Sequence, residues 1–280
     1  MKVLVTTPNG KVGNEVVKQL LSKGVSVRAG VHNPAKAEGL KALGAEVIHF
    51  DFADALSVQA ALSGVDALYL AFPGTLPFEQ VSRVVDLAKA AGVRRVVQLS
   101  AKGVENSDVL LRQIEKHIEA SGLEYTLLRP TWFFQNYNTG QREYIRQAGS
   151  IIEASADGRT SFIDTRDIAA VAVKALTEDG HHGKAYALTG AVAHSRDEVA
   201  AAISRATGKP VTYKALTDQE FRAQAAAEQW PVEVMETMSW LYGGVRAGWT
   251  EEAVPTVQEL LGREPIGLER YVQDHREEWL

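Results

Sequence analysis

The chain has no cysteine among its 280 residues. Disulfide bonds, thiolate metal sites and cysteine nucleophiles are therefore excluded. The apolar runs, such as residues 67–72, have the length of a strand, whereas a membrane-spanning helix needs ~20 apolar residues. Met1 and Lys2 lead directly into Val3–Val5, and this is not the layout of a signal peptide. We therefore expect a cytoplasmic protein without a membrane segment.

An excess of basic residues is also missing. The sequence has 30 Lys and Arg residues against 35 Asp and Glu residues, which gives a net charge of −5. Because nucleic-acid-binding proteins concentrate positive charge, we expect no nucleic-acid partner. His181 and His182 lie in a polar turn without a third ligand at metal spacing, so no metal site is expected. The G-x-S-x-G elbow of hydrolases and the phosphate loop of nucleoside-triphosphate hydrolases are absent.

Short apolar runs alternate with segments of helical period over the first 130 residues, which is typical of a parallel sheet in an α/β fold. The predicted strands are Val3–Val5, Val25–Val31, Val47–Phe50, Ala67–Ala71, Arg95–Leu99 and Tyr125–Leu128. Because crossovers between parallel strands are right-handed, consecutive units build a doubly wound sheet with helices on both faces. The sequence therefore predicts a Rossmann-type α/β fold.

The pattern changes after Pro130. The strand candidates there are Ser161–Asp164, Ala185–Leu188 and Val211–Lys214, and the predicted helices are Asp167–Leu176, Asp197–Thr207, Asp218–Glu228, Val232–Val245 and Leu268–Trp279. We expect a nucleotide-binding domain over residues 1–130, with sheet contributions from about residues 155–190. We expect residues 131–280 to form a mostly helical substrate-binding lobe, interleaved with the first domain, in a monomer or homodimer.

A glycine-containing loop joins the first predicted strand to the first predicted helix. Its residues are Thr7, Pro8, Asn9, Gly10, Lys11, Val12 and Gly13. The free N–H groups and the positive dipole end of such a helix bind phosphate groups. Gly10 lets the backbone approach a diphosphate, and Gly13 lets the helix pack closely. We therefore expect this loop to bind the diphosphate of a dinucleotide cofactor, and a turn without a ligand is the alternative.

The residues after the second strand bear on which dinucleotide binds. An acidic residue there would bind an adenosine 2′-hydroxyl and repel a 2′-phosphate. This chain instead has His32 and Lys36, which favours NADP(H), with NAD(H) as the alternative. A solvated Lys36 remains the other interpretation. Further cofactor contacts are expected after the third and fourth strands, at Asp51, Phe52, Ala71, Phe72 and Pro73.

Several of these segments resemble the NmrA-like branch of the atypical short-chain dehydrogenases/reductases. The resemblance rests on residues 7–13, 32–36, 165–169 and, most distinctively, Ser121–Pro130, which reads S-G-L-E-Y-T-L-L-R-P. It implies an NAD(P)-binding protein similar to type-2 NAD(P)H:quinone oxidoreductases and triphenylmethane-dye reductases. The chain differs from the family at Thr7, where a glycine is usual, and at His32, where an arginine is usual.

The tyrosine–lysine pair of the wider superfamily is also absent, because none of the eight tyrosines has a lysine four residues later. A quinone or dye can accept hydride directly from a nicotinamide and needs no dedicated acid. The wider superfamily has a serine near the reacting carbonyl at the end of this strand, so the resemblance implies that Ser100 donates to a substrate oxygen and that Lys102 adds positive charge. A turn residue and a surface lysine are the alternative interpretation. Phe72, Trp132, Phe133, Phe134 and Asn136 are candidates for a flat aromatic pocket, with ordinary core packing as the alternative.

These features predict an NAD(P)H-dependent oxidoreductase acting on a flat, electron-poor acceptor. Two alternatives stay open from sequence: a non-catalytic redox sensor that binds the dinucleotide, and a reductase or isomerase of a specialised metabolite. Glu115 and Glu119 lie one helical turn apart, and a lone pair of this kind is expected to be solvated.

Overall fold

The computed structural model describes all residues from Met1 to Leu280. The chain forms two compact units. The first unit consists of residues 1–130 and 165–188, and the second of residues 131–164 and 189–280. None of the helices combines the length and the hydropathy required to cross a bilayer.

Seven parallel strands form the sheet of the first unit, in the order β3-β2-β1-β4-β5-β6-β8. They are β1 (Lys2–Thr6), β2 (Ser26–Val31), β3 (Glu46–His49), β4 (Ala67–Leu70), β5 (Arg95–Leu99), β6 (Glu124–Pro130) and β8 (Lys184–Leu188). The predicted Rossmann-type α/β fold is confirmed. The strand order reverses between β1 and β4, and open α/β sheets bind ligands at the carboxyl ends of the strands beside such a point.

Helices cover both faces of this sheet. They are α1 (Lys11–Ser22), α2 (Glu38–Ala42), α3 (Ala55–Leu62), α4 (Phe78–Ala90), α5 (Leu110–Ser121) and α7 (Thr165–Thr177). The apolar stripes of α3, α4 and α5 pack in one cluster with inward-facing sheet residues such as Leu4, Leu70 and Leu127. Helices α1 and α7 pack against each other and against the sheet. Because side chains alternate along a strand, Val3 and Val5 face away from the cluster of Leu4.

The second unit contains a small parallel sheet and six helices. The strands are β7 (Ser150–Glu153) and β9 (Thr212–Ala215), and the helices are α6 (Arg142–Ala148), α8 (Arg196–Thr207), α9 (Asp218–Ala227), α10 (Val232–Arg246), α11 (Thr256–Leu261) and α12 (Leu268–Asp274). A core of aromatic and aliphatic side chains, including Phe134, Tyr271 and Trp279, packs against α8.

Two of the expected elements differ in the second unit. Ser161–Asp164 is not a strand, because it makes only isolated bridges such as Phe133 to Ile163. The helix predicted over residues 268–279 ends at Asp274, and a 3-10 turn (Arg276–Glu278) follows. This change of direction buries Trp279, whose indole N–H donates to the Tyr137 carbonyl at 3.0 Å.

Candidate functional site

The carboxyl ends of β1 and β4 are joined by a side chain. The Thr6 hydroxyl donates to the Ala71 carbonyl at 2.7 Å, and the Ala71 N–H donates to the same hydroxyl at 2.9 Å. Both residues are buried. Because these two strands flank the reversal of strand order, Thr6 fixes the separation of the two chain segments that leave the sheet there. Sequence reasoning missed this residue, since a threonine at a strand end carries no motif.

The loop after β1 is a tight turn with a strained residue at its start. Thr7 has a φ of +47°, in the left-handed region that favours glycine. Thr7 therefore holds a conformation that glycine adopts at lower cost. The Gly10 N–H donates to the Thr7 carbonyl at 2.9 Å and closes the turn. Pro8 is buried, and Asn9 and Gly10 are exposed.

Gly13 brings the loop against the first helix. A Cβ atom on Gly13 would lie 2.3 Å from the Thr7 carbonyl oxygen and 3.2 Å from Pro8 Cα. A Cβ atom on Gly10 would lie 3.1 Å from the same oxygen. Gly13 therefore permits the close contact between the loop and the helix, and Gly10 lies exposed in the loop, where the role expected of it toward a diphosphate stays a prediction.

The start of α1 has the properties of a phosphate-binding site. Gly10 is the N-cap, no side chain caps the helix, and the first turn contains no acidic residue. The first N–H groups of a helix have no partner within the helix, and the dipole there favours anions. Val12 is buried and Lys11 is exposed beside the turn. Together with the surface left open by Gly10, these residues fit a pyrophosphate group.

The polar residues after β2 and β3 lie close together. His32 and Lys36 are exposed, and Nδ1 of His32 lies 3.5 Å from Oδ2 of Asp51. The other carboxylate oxygen of Asp51 accepts the Ala53 N–H at 2.9 Å. Asp51 therefore caps its own turn and also faces His32. This edge of the sheet offers two basic side chains and one carboxylate.

The remaining residues expected at the cofactor follow β3 and β4. Phe52 is half-buried and packs edge-to-face on Phe50 at 5.0 Å between ring centroids. Phe72 is half-buried against the apolar cluster under the sheet, and Pro73 is exposed. Among Phe52, Ala71, Phe72 and Pro73, only Ala71 is hydrogen-bonded to Thr6.

Ser100 and Lys102 continue the β5 ladder beyond the end of the strand. The Ser100 N–H donates to the Leu128 carbonyl at 2.7 Å, and the Lys102 N–H donates to the Pro130 carbonyl at 2.9 Å. The Ser100 side chain is 6% exposed, and its Oγ makes no hydrogen bond. Lys102 is half-buried. Both residues therefore lie at the carboxyl edge of the sheet on backbone that is firmly held.

The expectation for Glu115 is wrong. Glu115 is completely buried and accepts two hydrogen bonds from Arg129, at 2.9 and 2.7 Å, and one from Arg112 at 3.0 Å. Burial alone would raise the pKa of Glu115, but the bonds from Arg129, the proximity of Ser100 and the bond from Arg112 outweigh it and lower the pKa. Glu119 is partly exposed and binds the same Arg112 at 2.8 Å. Helical spacing could not reveal this, because Arg129 comes from β6.

The aromatic run after Pro130 belongs to the second unit. Phe134 is 1% exposed and stacks on Phe162 and Tyr271, so it forms part of the core. Trp132 is half-buried, with its ring centroid 5.6 Å from that of Tyr242. The other two residues expected in the acceptor pocket after Pro130, Phe133 and Asn136, are also half-buried.

Comparison with known proteins shows which cofactor this chain binds. The model of a family described as NAD(P)H-binding matches residues 8–179. The chain belongs to the NAD(P)H-binding family. An NAD(P)H azoreductase from Xenophilus azovorans is 32% identical, over 98% of this chain and 97% of that protein. A (4-alkanoyl-5-oxo-2,5-dihydrofuran-3-yl)methyl phosphate reductase from Streptomyces griseus is 35% identical, over 98% of both chains.

A solved structure extends the similarity of this NAD(P)H-binding family member to three dimensions. The NADPH-dependent quinone oxidoreductase of Escherichia coli, in complex with NADPH, is 30% identical and superposes with a TM-score of 0.85, over 98% of this chain and 99% of that one. The resemblance to NmrA-like atypical short-chain dehydrogenases/reductases is thereby confirmed.

Proposed function

We propose that the protein is an NADPH-preferring oxidoreductase that transfers hydride to a flat, electron-poor acceptor, with quinones and azo dyes as the first candidates. One observation carries this proposal: the similarity to an NAD(P)H azoreductase and to an NADPH-dependent quinone oxidoreductase covers nearly the whole chain. The absence of a tyrosine–lysine pair agrees with acceptors that take hydride directly.

In this proposal the pyrophosphate lies on the N–H groups at the start of α1, from Gly10 to Gly13. Lys36 and His32 face the adenosine 2′-phosphate, and Asp51 faces the adenine. When bound, the nicotinamide supplies the hydride. Contacts along the nicotinamide side of the cofactor are proposed for the residues after β4, namely Ala71, Phe72 and Pro73.

On the acceptor side, Ser100 is proposed to donate a hydrogen bond to the acceptor oxygen, and Lys102 to add positive charge. Developing negative charge on a reduced quinone oxygen is stabilised by both. Trp132, Phe133 and Asn136 stay predictions from sequence as acceptor contacts. The burial of Phe134 against Phe162 and Tyr271 favours a role in the core over contact with the acceptor.

The test is the loss of NADPH absorbance under anaerobic conditions with 1,4-naphthoquinone, a ring-substituted benzoquinone and a simple azo dye. We expect turnover with at least one acceptor and a higher kcat/KM for NADPH than for NADH. Oxidation of neither coenzyme by any of these acceptors would contradict the proposal. Tight binding of NADPH without turnover would instead support the redox-sensor alternative.

A second candidate function is favoured by the Streptomyces griseus relative, whose named substrate contains an unsaturated lactone. Such a ring presents an electron-poor carbon–carbon double bond to a hydride donor, which is the chemistry of the first proposal on a different acceptor. An acyl-substituted butenolide added to the same assay distinguishes the two. A kcat/KM for the butenolide well above that for every quinone and dye would favour the second candidate.

A further inference from the structure

Gln98 on β5 is a polar side chain enclosed by apolar ones. It is completely buried, and neither its amide nitrogen nor its amide oxygen has a hydrogen-bond partner within the protein. Its neighbours in the sheet are Leu70 on β4 and Leu127 on β6, which both belong to the apolar cluster under α4 and α5. A buried donor and a buried acceptor in one side chain call for a small polar partner.

Ser100 extends this polar group toward the edge of the sheet. It lies two residues beyond Gln98, so both side chains project from the same face. Its hydroxyl is also buried and completes no hydrogen bond, although it lies beside the Glu115 carboxylate and helps to lower the pKa of that group, and its N–H holds the backbone to Leu128. Glu115 cannot serve Gln98 as well, because its carboxylate is already engaged by Arg129 and Arg112.

We propose that Gln98 and Ser100 together bind one water molecule, and that this water and the Ser100 hydroxyl deliver the proton that the reduced acceptor requires. The proposal rests on the function proposed above. In this proposal Ser100 contacts the acceptor once the coenzyme and acceptor are bound, and it is therefore the catalytic residue of the step. Gln98 is a positioning residue that acts through the water.

When the acceptor is a quinone, its reduced form takes up one proton after the hydride. Hydride transfer from NADPH leaves NADP⁺ and a hydroquinone anion, which lacks one proton. The Ser100 O–H bond breaks as its proton bonds to the anionic oxygen. One O–H bond of the water breaks as its proton bonds to Ser100 Oγ, and a solvent proton then restores the water. Hydride transfer itself needs no acid, and this relay acts after it, by protonating the hydroquinone anion before the product leaves.

Kinetic isotope effects on kcat, measured for the wild-type enzyme and for Gln98→Leu, test the proposal. We expect kcat to fall about tenfold or more, with little change in the KM for NADPH. Because proton delivery becomes limiting, the effect of D₂O on kcat should increase and the effect of 4-deuterated NADPH should decrease. A purely structural role would instead slow hydride transfer, leaving the D₂O effect unchanged. That result would overturn the proposal. If the leucine variant does not fold, Gln98→Met replaces it.

Tyr69→Phe is the matched control. The Tyr69 hydroxyl is also buried without a partner, but Tyr69 is adjacent in sequence to Leu70 and projects from the opposite face of the sheet. Its removal should leave both isotope effects at the wild-type values. An equal change in both variants would contradict a specific role for Gln98.

The water is tested independently of turnover by a high-resolution crystal structure of the wild-type protein. We expect a water oxygen within hydrogen-bond distance of the Gln98 amide and Ser100 Oγ, and its loss in Gln98→Leu. A Gln98 amide bonded directly to protein atoms, with no water beside it, would overturn the inference. This result stays informative if no acceptor is reduced, so it separates failure of the water site from failure of the proposed function.

Discussion

A methyl group on Gly13 would lie 2.3 Å from the carbonyl oxygen of Thr7. The backbone of the loop at Thr7 and the backbone of the helix at Gly13 are therefore in close contact. Thr7, with its positive φ, and Gly13 together set the position of the N–H groups at the start of α1. The proposed pyrophosphate site depends on this contact more than on any single side chain.

Gly13→Ala should weaken both the fold and cofactor binding. Because the added methyl group meets backbone atoms of Thr7 and Pro8, we expect a loss of about 2 kcal/mol in the free energy of unfolding. NADPH affinity should fall at least tenfold as the loop moves away. Urea denaturation and NADPH titration measure the two effects. Gly39→Ala is the control, since a Cβ atom there has nothing within 4 Å, and it should be neutral or stabilising by up to about 1 kcal/mol.

Gly10→Asp should separate folding from binding. Aspartate is a favourable N-cap residue, whereas its Cβ atom would lie 3.1 Å from the Thr7 carbonyl oxygen, so we expect the free energy of unfolding to stay within about 1 kcal/mol of the wild-type value. Its carboxylate would occupy the N–H groups and repel the pyrophosphate, and we expect NADPH binding to be lost. Gly10→Asn adds similar volume without the charge and should bind more tightly than the aspartate variant. Equal affinities for the two variants, measured by fluorescence titration, would contradict an anion site.

Glu115→Gln should destabilise the protein at neutral pH. The variant weakens a buried carboxylate–arginine cluster, for which we expect a loss of about 3 kcal/mol. Because the folded-state pKa of Glu115 is lowered, its contribution is present above the unfolded pKa and is lost as the pH falls through the folded pKa. The difference from the wild type should therefore shrink below about pH 4. Denaturation curves at pH 7 and at acidic pH provide the measurement.

Glu119→Gln is the matched control for that experiment. Glu119 lies on the same helix and binds the same Arg112, but its side chain is 32% exposed. Exposed ion pairs contribute about 1 kcal/mol or less. A loss in Glu119→Gln as large as that in Glu115→Gln would show that burial of the carboxylate is not what matters.

Lys36→Ala should change the choice of coenzyme. Lys36 is exposed after β2 with no acidic partner in a salt bridge, so its removal should cost little stability. We expect the Kd for NADPH to rise about tenfold, equivalent to about 1.4 kcal/mol, with the Kd for NADH unchanged. Lys41→Ala, whose side chain pairs with Glu38, should alter neither value. Equal losses for both coenzymes would contradict recognition of the 2′-phosphate.

The sheet of the first unit was predictable because its strands and its longer helices α1, α4, α5 and α7 have local signatures in the sequence. The stripe of Val12, Val16 and Leu20 identifies α1, and the apolar runs identify the strands. The small sheet of β7 and β9 was not predicted as a unit, since its strands are four residues long and about sixty residues apart. Short helices such as α2 and α11 contain too few turns to show a period.

Part of the candidate site was also predictable from the sequence, and part was not. The glycine loop is contiguous, so its residues could be read directly from the sequence. The cluster of Glu115 with Arg129 and the burial of Gln98 depend on which strand lies beside which helix. Those relationships exist only in the folded chain. Polar residues in a strand or helix look solvated until their neighbours are known.

The central claim is that the start of α1 binds the pyrophosphate of NADPH. Isothermal titration calorimetry of the folded wild-type protein with NADPH tests it most directly. We expect one NADPH per chain with a Kd in roughly the micromolar range, and no binding by Gly10→Asp. The absence of binding heat with both NADPH and NADH, in protein that unfolds cooperatively, would contradict the account.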